Sequence, residues 1–130
     1  MDKRPLIFAV RTVTVLYSAV FLAAALQNFG ARVSVGPFDW YFSVPIWQAG
    51  VGELVIGLAL LGAAITQGSR LYWVAYALSG LGILFGLSAA RVVESARAIH
   101  VLLVPLGILG VALLALARRS GARSSGTSAR

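Results

Sequence analysis

The sequence predicts an all-α membrane protein, a four-transmembrane-helix bundle, and two observations carry that prediction. The first is composition: of 130 residues, 59% are hydrophobic and 12% charged. A soluble domain carries roughly 25% charged residues and under half apolar ones. The second is four apolar stretches, at about 6–29, 46–66, 71–90 and 98–117. Each is close to the ~20 residues that cross a ~30 Å hydrocarbon core as a helix. Barrel strands would be shorter and strictly alternating, and no water is available in lipid to satisfy an open backbone. The length suits one domain, residues 1–117, followed by a tail at 118–130.

The first stretch opens with Lys3 and Arg4 and contains Ala23–Ala25, which together resemble a signal peptide. Arg11 interrupts the apolar run, which then continues past the length of a normal signal core, so the stretch is read as a span. Arg11 lies near enough to its start to snorkel to the headgroups. The segment from Gly30 to Pro45 is the longest loop. Its Val33, Val35, Phe38, Trp40, Phe42 and Val44 alternate with polar or smaller residues around Gly36–Pro37. That pattern suits a short β-hairpin, or equally an aromatic loop lying in the headgroups. Thr66–Arg70 is a polar turn between the second and third stretches, and Arg91–Arg97 separates the third from the fourth. In the third, Gly82 and Gly86 form a GxxxG pair compatible with close helix contact. The tail, RRSGARSSGTSAR, is small, polar and basic, and its composition predicts disorder.

Orientation follows from the basic residues. Four crossings put both termini on one face, with Lys3, Arg4, Arg11, Arg70, Arg118, Arg119, Arg123 and Arg130. Only Arg32, Arg91 and Arg97 fall on the other. This bias predicts both termini in the cytoplasm and the aromatic loop outside. Tyr72 and Trp73 are expected at the inner membrane interface. A single lysine among many Ala, Gly and Arg residues suggests a GC-rich bacterial genome, and so a bacterial plasma (inner) membrane. The basic excess is thus assigned to topology, and nucleic acid is not an expected partner. The expected partners are the lipid bilayer and another membrane protein or a second copy of the chain.

Chemistry is sought among polar residues at membrane depth, because burying them is expensive. Glu53 is the sharpest candidate. It lies in QAGVGELVIG, on a helical face with Gly50, Gly57 and Ala64, whose small side chains let helices approach closely. Arg91, His100, Asn28 and Gln27 end up at the same depth. The expected arrangement pairs Glu53 with Arg91, with His100 or Asn28 completing the cluster. A buried pair of this kind can equally serve only to fix helix packing. With no cysteine and one histidine, thiolate zinc sites, disulfides, iron–sulfur ligation and a bis-histidine haem within one copy are excluded. No cofactor and no metal site is predicted from the residues.

Around the second stretch the chain resembles the DoxX-like family of small four-helix membrane proteins. The resemblance rests on Gly52 and Glu53 followed by LVIGLALLGAAI, on Gln27–Asn28 ending the first stretch, and on overall size and layout. It covers most of residues 6–117, and it implies a membrane subunit linked in some members to quinone or thiol redox partners. Three functions are therefore open. One is a non-catalytic subunit or accessory protein of a membrane complex, in a redox form with a quinone near Glu53, Arg91 and His100. Another is a small proton-coupled exporter using Glu53. The third is a membrane enzyme with an outer-facing Glu53/His100 site working by general acid–base chemistry.

Overall fold

A computed structural model describes residues 4–35, 38–40, 47–90 and 96–128, with side chains over 4–32, 47–85 and 102–119. Among the described residues there are four helices: α1 (Arg4–Asn28), α2 (Trp47–Thr66), α3 (Ser69–Ala90) and α4 (Ala96–Ser128). Between α1 and α2, β1 (Val33–Val35) pairs antiparallel with β2 (Phe38–Trp40), Val33 opposite Trp40 and Val35 opposite Phe38. The Gly36–Pro37 turn and the aromatic side chains of this loop lie outside the described residues.

Among the described residues, three segments are long and apolar enough to cross a membrane: Arg4–Asn28, Trp47–Thr66 and Leu102–Arg119. α1 packs against α2 and α4, and α3 packs against the same two, so the helices form a ring with α1 opposite α3. Polarity is distributed inside out. Phe8, Leu58, Leu81, Phe85 and Ile108 are each more than half exposed, while Thr14, Ser18, Gln27, Asn28 and Ser79 are buried. In water such apolar patches would drive association, whereas in lipid they are the ordinary outer surface.

Helix ends have identifiable causes. α1 ends in a Schellman motif: the Ala31 amide donates to the Leu26 carbonyl at 3.0 Å and the Gly30 amide to the Gln27 carbonyl at 3.0 Å. Gly30 supplies the left-handed residue this requires, at φ 98°. α2 and α3 are joined by Gln67–Gly68 alone, and Gln67 takes the left-handed conformation at φ 59°. The connection is so short that α2 and α3 must be antiparallel neighbours.

α4 departs from expectation at its end. Composition predicts disorder from 118, but the helix runs through Ser128. No proline follows Ala117, Ala and Arg favour helix against the weaker Gly121 and Gly126, and propagation adds one hydrogen bond per residue. Pro105 lies within α4 and cannot donate to the carbonyl four residues earlier, yet the helix continues through it. Gly82 of the GxxxG pair faces α2, where a Cβ would lie 2.6 Å from Ile56 Cδ1.

Candidate functional site

Polar residues gather at two levels. At the loop end of the bundle, Gln27 and Asn28 occupy the last turn of α1 and Glu53 the second turn of α2. Gly50, one turn before Glu53, lets the helices approach: a Cβ there would lie 3.0 Å from the Phe29 ring and 3.1 Å from Asn28 Cβ. Across this contact Asn28 Nδ2 donates to Glu53 Oε1 at 2.9 Å. Among the described residues, Glu53 Oε2 and both amide atoms of Gln27 are buried with no hydrogen-bond partner. Gln27 is only 1% exposed. Each orphaned polar group costs about 1–3 kcal/mol, so the loop end is where a further partner would be most strongly rewarded.

Of the residues singled out by sequence, the structure thus joins Asn28 to Glu53 and buries Gln27 one position before Asn28. Arg91 lies outside the described residues, and so does the side chain of His100, which sits in the first turns of α4. The expected Glu53–Arg91 pair therefore falls outside the described residues.

The second level is a hydroxyl-bearing core that the sequence reading overlooked. Thr14 Oγ1 donates to the Val10 carbonyl at 2.7 Å and lies 2.8 Å from the Tyr76 hydroxyl. A threonine hydroxyl has one hydrogen, already given to Val10, so Tyr76 must be the donor to Thr14. The chain Tyr76 to Thr14 to Val10 thus links α3 to α1 across the diagonal of the ring. Tyr17 stacks on Tyr76, with ring centroids 5.5 Å apart and planes 18° from parallel, and meets Phe21 edge-on. Ser79 lies beside Tyr17 and donates to the Tyr76 carbonyl at 2.7 Å. Ser18 donates to the Gly57 carbonyl of α2 at 2.8 Å. α4 receives both tyrosines in notches: a Cβ at Gly107 would lie 2.9 Å from the Tyr17 hydroxyl, and one at Gly110 would overlap the Tyr76 ring.

The signal was present as spacing. Thr14, Tyr17, Ser18 and Phe21 recur on one face of α1, Tyr72, Tyr76 and Ser79 on one face of α3, and Gly107 and Gly110 on one face of α4. The bundle's interior is therefore filled by side chains with hydroxyls largely satisfied. Thr14→Val is expected to lower unfolding stability by about 0.6 kcal/mol, the typical worth of an interhelical hydrogen bond in a membrane. Reversible unfolding in mixed micelles measures this, and a loss above ~2 kcal/mol would mean the Tyr76 ring also moves.

Tyr72, near the start of α3, is buried among the helices at 4% exposure. Trp73 is partly buried against the core, with the Arg118 guanidinium 6.0 Å above its ring. Among the described residues no group of His, Asp or Glu side chains is placed to hold a metal ion.

Compared with known protein families, curated proteins and solved structures, the chain matches none. The resemblance to the DoxX-like family rests on the quoted residues alone.

Proposed function

We propose that the chain is a small integral membrane protein that crosses the bilayer four times with both termini cytoplasmic. On this reading it serves as a non-catalytic, DoxX-like subunit or accessory protein of a membrane assembly. The observation that carries the proposal is the contrast between the two polar levels. The hydroxyls of Thr14, Ser18 and Tyr76 are paired within the chain, whereas the Gln27 amide and Glu53 Oε2 are buried with no partner among the described residues. A partner's polar side chain or backbone, entering where α1 and α2 end their contact, would complete that set. A quinone is compatible with the same donors. It offers carbonyl acceptors, and Gln27 Nε2 is an orphaned donor that would hold one of them.

The exporter reading is less well supported. Ser18 lies nine residues before Gln27 on α1, about 13 Å at ~1.5 Å per residue, and Phe21, Ala24 and Ala25 fill the interval. Among the described residues, these apolar side chains separate Glu53 from the core hydroxyls. The enzyme reading needs Glu53 and His100 in one geometry, which Asn28 as the partner of Glu53 does not call for.

The test is a mild-detergent pull-down of the tagged chain, read by mass spectrometry for proteins and by lipid extraction for quinone. The expected result is a stoichiometric partner that is lost with Gln27→Leu while the variant still folds. Recovery of the chain alone, as a clean monomer or dimer, would overturn the subunit reading. Turnover or transport lost in Glu53→Gln with assembly intact would favour the enzyme or exporter.

A further inference from the structure

At the end of the bundle opposite Glu53, the buried unsatisfied groups among the described residues are both able to donate a hydrogen bond. The Tyr72 hydroxyl and Trp73 Nε1 are buried without a partner among the described residues. An indole N–H can only donate, and a phenol donates most strongly to an anion. Arg11 and Tyr72 each lie one turn before the bonded pair Thr14 and Tyr76 and so share a level, and Arg118 lies over the Trp73 ring. Arg70, two residues before Tyr72 and three before Trp73, adds a third cation. The chain has four acidic residues against eleven basic ones, and among the described residues no acidic residue lies at this end. Two neutral donors and several cations call for a ligand that is anionic and presents only acceptors. A phosphate diester is such a group, and membrane headgroups hold it at the depth where spanning helices end.

We propose that the Arg11, Tyr72, Trp73 and Arg118 cluster binds the headgroup phosphate of an anionic phospholipid. The proposal rests on the chain being embedded in a membrane. Arg118 lifts from the Trp73 ring to take one phosphate oxygen and uncovers the indole N–H. Arg11 and the Tyr72 hydroxyl take oxygens on the other side. This differs from general attraction of basic residues to a charged surface, because two uncharged atoms carry part of the recognition.

The experiment adds phosphatidylglycerol, phosphatidylcholine of the same acyl chains, or inorganic phosphate to the full chain in a neutral detergent. Thermal shift and retained lipid by native mass spectrometry are the readouts. Phosphatidylglycerol should raise Tm saturably, and phosphatidylcholine should not. The double variant Tyr72→Phe, Trp73→Phe removes one O–H and one N–H but keeps both aromatic bodies. It should bind phosphatidylglycerol roughly tenfold more weakly or worse. Arg11→Gln with Arg118→Gln should abolish the preference. Equal shifts with both lipids, or a double Phe variant that binds like the parent, would overturn the proposal. A shift reproduced by inorganic phosphate at like concentration would overturn the lipid assignment in favour of a soluble phosphate. A chain that stays in solution without detergent would instead overturn the membrane reading.

Discussion

Gly110→Ala is expected to lower unfolding stability by about 1–3 kcal/mol, whereas Gly62→Ala should leave it unchanged or raise it by up to ~1 kcal/mol. The two substitutions add the same methyl to two apolar helices, so propensity alone predicts the same small gain for both. Surroundings reverse the sign at one of them. A Cβ on Gly110 would fall 2.5 Å from Cε1 and Cζ of Tyr76, while one on Gly62 meets nothing within 4 Å. Relief would require the Tyr76 ring to move, and three contacts oppose that. Its hydroxyl donates to Thr14, its face stacks on Tyr17, and its buried position leaves no room to swing. In lipid, where apolar burial gives no net drive between helices, such close packing is a main source of association. Unfolding curves in mixed micelles would decide the point. Matching curves for the two variants would show that the α4 notch does not hold the tyrosine.

The helices were legible because the bilayer leaves few alternatives: a run of about twenty apolar residues has to satisfy its own backbone. The short turn at Gln67–Gly68 and the stop at Gly30 were readable from residue chemistry in the same way. Glu53 stood out as a carboxylate in an apolar helix with glycines on its face. Its partner was harder to read. Charge complementarity favours Arg91, yet the described hydrogen bond comes from Asn28, brought close by the absence of a side chain at Gly50. Which polar residues share a depth can be counted along a chain, but which of them touch depends on how two helices are rotated. The tyrosines were obscured for a related reason. Tyr17 and Tyr76 lie mid-helix, and only the notches at Gly107 and Gly110 reveal that their ring stack lies inside.

Asn28→Leu is expected to cost about 1–3 kcal/mol, and Glu53→Gln in the same background should recover a large share of it. The argument rests on an asymmetry. A hydrogen bond between partners adds little net stability, but removing one partner leaves the other desolvated with nothing in return. Glu53 already has Oε2 buried and unpaired, so losing Asn28 strands both oxygens of the carboxylate in an apolar surrounding. Neutralising the group as glutamine removes most of that penalty, since an amide is far less costly to bury than a carboxylate. Glu53→Gln alone should therefore be neutral or mildly stabilising, its Oε1 still accepting from Asn28. A double-mutant cycle in mixed micelles measures the coupling directly. Coupling near zero would show that Asn28 is not what holds Glu53. Strong coupling with Glu53→Gln as stable as the parent would show that the carboxylate is kept for something other than the stability of the fold, because the fold does as well or better without its charge.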